Sequence, residues 1–84
     1  MQINNWFVYL LRCADDSLYT GVTTDVERRL AEHNHSNSRG ARYTRARRPV
    51  ELLYHENVAD RAAACRREAA IRRYSRSEKL ALTQ

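Results

Sequence analysis

The sequence of 84 residues predicts an α+β fold: a small three-stranded antiparallel sheet flanked by helices, in the order β-β-α-β-α-α. Three observations predict it. Two strand-like runs near the N-terminus are separated by turn residues, three helix-start signals follow, and a third apolar run lies between the first and second of them.

Trp6-Phe7-Val8-Tyr9-Leu10-Leu11 is apolar on both alternating faces, as in a strand covered on both sides. Ala14-Asp15-Asp16-Ser17 supplies turn chemistry, and Leu18 to Val22 resumes strand character, which makes an antiparallel hairpin. Thr24-Asp25-Val26-Glu27 reads as a capping box, with Thr24 as the cap of a helix running to about Asn34. Val26, Leu30 and Ala31 are its inward face. From His35 to Arg48 no periodicity survives, which predicts a long loop. Val50 to His55, after Pro49, reads as the third strand. Asp60 caps an alanine-rich helix over Arg61–Tyr74, and Ser75-Arg76-Ser77-Glu78 is a second capping box opening a short helix through Leu82. Neither repeat nor linker interrupts the chain, so it reads as a single domain over residues 1–84.

A domain this small buries only about 60–65% of its unfolded surface, so an active site should be a shallow cleft. Fifteen Lys+Arg stand against ten Asp+Glu, for a formal charge of +5. All the cations but Lys79 are arginines, whose planar fork grips phosphate oxygens. Arg39, Arg42, Arg45, Arg47 and Arg48 fall in an acid-free part of the loop, with Tyr43 among them. That set predicts phosphate contacts, and Tyr43 predicts stacking on an unpaired base. Arg61, Arg66, Arg67, Arg72, Arg73 and Arg76 decorate the second helix and its end, and about half of them read as an ordinary solvated face.

Cys13 and Cys65 form no C-x-x-C pair. They read as reduced thiols packed as small hydrophobes in a cytoplasmic protein, and a zinc site with His33 and His35 would have the wrong spacing. No apolar run approaches the ~20 residues needed to span a bilayer. Ser/His/Asp and Gly-rich phosphate-loop signatures are absent, which argues against acyl transfer and nucleotide hydrolysis.

Positions 61, 64, 65, 68, 71 and 72 share one side of the second helix, where Glu68 interrupts a stripe of Ala64, Cys65 and Ile71. A carboxylate facing a core needs a partner, either one of the many arginines or a hard cation. Arg29 and His33, four residues apart, share a face of the first helix at the border of its apolar stripe. Gly21, two residues after Tyr19, sits inside a strand, where glycine marks close approach of another backbone or a ligand.

Phe7-Val8-Tyr9, Tyr19-Thr20-Gly21, the run Glu27 to Asn34 and Arg67-Glu68-Ala69-Ala70-Ile71-Arg72 together resemble the motifs of the GIY-YIG nucleases, in order and over nearly the whole chain. Gly40 to Arg45 and Ser75 to Lys79 are most similar to small stand-alone bacterial members of the YhbQ type. The chain departs from the pattern in carrying Phe7 for a glycine and Thr20 for an isoleucine, and the family's additional polar residue near the C-terminus has no counterpart. The resemblance implies the GIY-YIG fold and a metal-dependent endonuclease that hydrolyses DNA phosphodiesters in repair or recombination. It implies Tyr9 as general base assisted by His33, Tyr19 orienting water or phosphate, Arg29 on a phosphate oxygen, and one Mg²⁺ (or Mn²⁺) on Glu68. The partner would be single-stranded or branched DNA, with no membrane, bound by a monomer or weak dimer with room for a protein partner. The alternatives are a nucleic-acid-binding module of the same fold without turnover, and a ribosome-associated basic protein in which Glu68 is only a salt bridge.

One geometric condition follows. Tyr9 and Tyr19 converge only if the hairpin pairs odd positions with odd, for example Cys13 with Tyr19, and both hydroxyls should then face one cleft with Glu68.

Overall fold

The computed structural model describes residues 5–84. Its central strand is β1 (Trp6–Arg12), flanked by β2 (Leu18–Thr23) and β3 (Glu51–Val58) in the order β2-β1-β3, antiparallel throughout. Helix α1 (Val26–His35) and a four-residue helix α2 (Arg42–Arg45) belong to one face of the sheet. Helices α3 (Arg61–Arg72) and α4 (Arg76–Ala81) belong to the other. The order is thus the expected β-β-α-β-α-α, with one short helix added inside the segment expected to be loop.

The doubly apolar sequence of β1 is explained by its position. Its odd residues Tyr9 and Leu11 join Cys13 and Val50 in one cluster, against which Tyr19, Leu30 and Leu52 pack. Its even residue Val8 joins Ala64 and Ile71 in the other, with Trp6, Val22, Val58, Tyr74 and Leu82 around it. Each cluster is the inner surface of one helical layer, as expected for a strand buried on both sides.

The hairpin pairs Tyr9 with Gly21 and Leu11 with Tyr19. This is the odd-with-odd register, with Tyr19 opposite Leu11 rather than Cys13. The turn sets it: Cys13 N donates to Ser17 O and Asp16 N to Cys13 O, while Asp16 takes the left-handed conformation at φ 69°. Aspartate tolerates that region better than most residues because its short polar side chain bonds locally.

Three local expectations are corrected. The cap of α1 is Asp25, whose carboxylate accepts from Arg28 N at 3.0 Å, while Thr23 rather than Thr24 bonds back to the Asp25 backbone. Ala31 is exposed, and the residue that turns inward is His33. Cys65 is also exposed, so the buried stripe of α3 is Ala64 and Ile71 alone. Asp60 and the Ser75/Glu78 capping box open α3 and α4 as the sequence indicates.

The segment between α1 and β3 is stitched rather than loose. Asn34 Nδ2 donates to Val50 O at 3.0 Å, and Val50 N donates to Asn34 Oδ1 at 2.7 Å. The Arg48 guanidinium donates to the carbonyls of His33 (2.5 Å) and Ser36 (2.7 Å), satisfying groups that the end of a helix leaves open. Replacing Asn34 with alanine strands two half-buried backbone groups. Asn34→Ala should lower unfolding free energy by about 1–3 kcal/mol, read as a lower urea midpoint at unchanged m-value. An unchanged midpoint would show that the Asn34 clamp contributes nothing.

Candidate active site

Four of the predicted side chains gather on the α1 face. Tyr9, 3% exposed, projects from β1, and its Oη lies 2.8 Å from Nε2 of the fully buried His33 of α1. His33 Nδ1 lies 2.7 Å from Thr44 Oγ1 on α2, and Thr44 is likewise fully buried. The Tyr19 ring stands edge-on to His33 with centroids 5.2 Å apart and tilted to Tyr9 at 6.4 Å. Arg29, one helical turn before His33, donates from Nη1 to Glu32 Oε1 at 3.1 Å and to the Arg39 carbonyl at 2.5 Å.

Gly21 makes this convergence possible. It stands opposite Tyr9, and a Cβ at position 21 would lie 2.4 Å from Tyr9 Oη and 2.5 Å from Cζ. No side chain fits there. The close approach is therefore that of a side chain, where the sequence pointed to a backbone or ligand.

Glu68 approaches from the other layer. Its side chain is 21% exposed, and its Oε2 accepts from Arg72 Nη2 at 3.2 Å, while the same nitrogen lies 3.5 Å from the Thr20 carbonyl on β2. Arg72 thus ties Glu68 to the edge strand. The two layers meet around that edge: an open groove of about 270 Å³ is lined by Leu18, Tyr19, Thr20 and Tyr43 together with Arg72 and Lys79. The expected single cleft shared by Tyr9, Tyr19 and Glu68 is not formed: Tyr9 and Tyr19 pack in the α1 layer, Glu68 stands on α3 in the other, and of the three only Tyr19 lines this groove at the rim of β2. A larger cavity, about 520 Å³, lies between Phe7, Leu52, His55 and the first turn of α1 and contains none of the predicted site residues.

The electrostatics are set first by burial. It pushes the Tyr9 phenol up to about 12; nearby Arg29 pulls it down, and Tyr19 and Glu68 push it further up. The Glu68 charge is therefore felt at Tyr9. Burial also lowers His33 to about 4, aided by the positive charges of Arg29 and Arg48 and opposed by Glu32. Near neutral pH the pair is a neutral phenol against a neutral imidazole.

The loop cations divide by role. Arg47 donates to Asp15 Oδ2 at 3.0 Å and lies 3.8 Å over the Tyr43 ring. Tyr43, 38% exposed, also stacks beside Tyr19 at 5.9 Å, so its ring is already engaged by protein. Arg48 is folded onto the end of α1 as described, and Arg45 Nη1 donates to Asn37 O at 2.5 Å. Arg42 is exposed, and the Arg39 side chain is 76% exposed with Nη1 4.0 Å from Glu32 Oε2.

A divalent cation, which the resemblance implies, would find few protein donors here. Among the described residues no three His, Cys, Asp or Glu side chains come together. An ion here would rest on the half-buried Glu68 carboxylate and complete its shell with water and substrate oxygens, an arrangement that suits Mg²⁺. The donor set fits in that limited sense.

Thr44 carries no sequence signal, while Asn34, Arg48 and Arg72 stand in runs that the sequence marks for other roles: the first-helix motif, the basic loop set and the motif around Glu68. Thr44 lies in a basic stretch without periodicity, where no pattern separates a buried threonine from a solvated one. Arg72 was counted with the solvated face, although its spacing of four from Glu68 is a readable ion-pair signal.

A strand pair with a tyrosine on each strand, a glycine cleared for one of them, and helices presenting arginine, histidine and glutamate define a GIY-YIG-type catalytic domain. The family model described as the GIY-YIG catalytic domain matches residues 5–81, and the chain belongs to that family. The chain is 53% identical over 79 residues to a UPF0213 protein of Desulfotalea psychrophila, covering 94% of this chain and 71% of that one. It is 47% identical over 78 residues to a UPF0213 protein of Staphylococcus haemolyticus, covering 93% of each. Two solution structures are similar at 40% identity. A UPF0213 protein from Bacillus halodurans has TM-score 0.56 over 92% of this chain and 80% of that one, and a protein from E. faecalis has 0.62 over 96% and 85%.

The lowered His33 pKa makes a stability prediction. Between about pH 4 and the ordinary value of 6.5, the unfolded chain binds a proton on His33 that the folded chain refuses. The stability from a neutral His33 is therefore complete above pH 6.5 and is lost as pH falls toward 4, by about 3 kcal/mol in all. His33→Gln should flatten this slope relative to wild type in urea titrations at pH 7, 5.5 and 4.5; parallel curves would contradict the burial of His33.

Proposed function

We propose that this protein is a divalent-metal-dependent endonuclease that hydrolyses phosphodiester bonds in DNA and acts in the cytoplasm as one domain, in repair or recombination. The observation that carries the reading is the buried Tyr9–His33 hydrogen bond beside Arg29, reached through the space that Gly21 leaves. A structural core has no need of a hydrogen-bonded tyrosine and histidine packed directly behind Tyr19, which lines the groove.

A phenol held near pKa 12 is not ionised at neutral pH and does not serve as a ready-made base. It serves as a relay. The attacking water gives a proton to Tyr9 Oη as Tyr9 gives its own to His33 Nε2, so no free phenolate forms. The water oxygen bonds phosphorus, the phosphorus bond to the bridging oxygen breaks, and the leaving oxygen takes a proton from solvent. Arg29 holds a non-bridging oxygen and offsets charge developing on it. A phosphate seated on Arg29 would also cancel one of the charges that keep His33 weakly basic, so substrate binding itself raises the acceptor's proton affinity. Tyr19, on the groove side of the pair, orients the water or the phosphate. Glu68 would hold a divalent cation, which when bound would supply further charge stabilisation to the phosphate. Arg39, Arg42 and Arg45 supply phosphate contacts, and Tyr43, Arg47 and Arg48 shape the loop that presents them.

A second reading, a nucleic-acid-binding module without turnover, draws on the Glu68–Arg72 pair, which is the contact a purely structural carboxylate would make. The two readings differ in a metal titration. Wild type should cleave single-stranded or branched DNA only with Mg²⁺ or Mn²⁺. Glu68→Ala and Tyr9→Phe should each lose about 10²–10⁴-fold in rate while still binding DNA. DNA binding without metal-dependent cleavage in wild type would favour the module.

A further inference from the structure

The hydrogen bonds that meet at His33 have a direction. Thr44 Oγ1 lies 3.0 Å from the Ala41 carbonyl, which can only accept, so the single hydroxyl proton of Thr44 is committed there. The 2.7 Å contact between His33 Nδ1 and Thr44 Oγ1 must then carry the imidazole's proton. A neutral imidazole has one N–H, which leaves Nε2 as a bare lone pair 2.8 Å from Tyr9 Oη.

The Tyr9 end gives the same answer independently. Arg29, which also bears on the phenol, only donates and cannot take its proton. Nε2, 2.8 Å away, is the acceptor that the described hydrogen bonds give the phenol proton. The reverse arrangement, with Thr44 donating to Nδ1 and Nε2–H donating to Tyr9, would face two oxygens across 3.0 Å with no proton between them. It would also take from the phenol proton the acceptor that the described hydrogen bonds give it.

We propose that Thr44 is a positioning residue that fixes His33 as its Nδ1–H tautomer and so aims the Nε2 lone pair at Tyr9. The inference rests on the nuclease reading only for its catalytic consequence. The role is that of the third group in a nucleophile–base–orienter set, filled by a threonine hydroxyl whose own proton is anchored on a carbonyl. The surroundings are arranged for it. Thr44 and His33 are both fully buried, so water does not compete for Nδ1. Arg45 N also donates to the Ala41 carbonyl at 3.0 Å, holding the anchor in place. Arg48 and Asn34 bind the flanking segment to α1 and β3, which keeps α2 seated against His33. The apparently featureless basic loop is therefore the support that gives the site its proton direction.

The test is a long-range ¹H–¹⁵N correlation of the histidine rings in the full ¹⁵N-labelled chain near pH 7, without metal or substrate. Wild type should show Nδ1 protonated and Nε2 unprotonated at His33. Thr44→Ser should keep that pattern, and Thr44→Val should mix or invert it. In cleavage assays with Mn²⁺, Thr44→Val should lose at least about tenfold in kcat with KM unchanged, and Thr44→Ser should restore most of the rate. An Nε2–H tautomer in wild type overturns the proposal without any variant. So does a Thr44→Val protein with unchanged spectrum and rate, or a Thr44→Ser protein as impaired as Thr44→Val. If Thr44→Val fails to fold, the wild-type and Thr44→Ser spectra still decide. Because the spectrum needs no turnover, a wild type that cleaves nothing refutes the nuclease reading while the tautomer is settled on its own.

Discussion

Placing a phenol and an imidazole together in the core of a domain this small imposes a strict condition, since each polar atom cut off from water needs a partner. The structure meets it: among the described residues no buried side-chain nitrogen or oxygen lacks one. Tyr9 is answered by His33, His33 by Thr44, and Thr44 by the Ala41 carbonyl. That short chain of bonds crosses β1, α1 and α2, and it explains several features that otherwise look unrelated. The hairpin must pair Tyr9 with a residue lacking a side chain. The segment after α1 must be folded tightly enough to hold a threonine under the imidazole. Arg48 and Asn34 do the holding.

The sheet separates two kinds of chemistry. On the α1 face lie the groups that could move a proton and bear on a phosphate oxygen. On the α3 face lies the Glu68 carboxylate, tethered by Arg72 to the outermost strand. Because β2 is the edge strand, the two faces meet around its rim and not through the core. A domain too small to enclose a pocket can still assemble a site in this way, by letting two layers overhang one edge. The acidic hairpin turn completes the frame: Asp15 holds Arg47, and Asp16 accepts from Arg76 at 3.1 Å, so both flanks of the groove are tied to the same turn.

Much of this was legible in the sequence. Apolar runs bounded by turn residues, capping residues and the Ser75/Glu78 box place the elements in order, since those signals are local. The odd-with-odd register was stated as a condition and is what the turn imposes, although periodicity alone could not select it. The candidate site residues follow from motif spacing, with independent support from helical faces for Arg29 and Glu68. What sequence could not supply was long-range. The roles of Arg47 and Arg48 as internal ties depend on Asp15, far away in sequence, and on helix-end carbonyls. Cys65 was placed inward by helical spacing, yet α3 contacts the sheet along a narrower strip, so a residue beside the buried Ala64 remains in solvent. Thr44 is the clearest omission, because its importance lies entirely in what stands above and below it.

The central claim is that Tyr9 reaches His33 only because position 21 has no side chain. It is tested most directly by Gly21→Ala, through its cleavage rate, its DNA affinity and the ring resonances of His33. A Cβ there would fall 2.4 Å from Tyr9 Oη and must push the phenol aside. The account predicts a folded protein that binds DNA as wild type does, has lost the Tyr9–His33 hydrogen bond, and cleaves at least about a hundredfold more slowly. A Gly21→Ala protein that cleaves at the wild-type rate would contradict it.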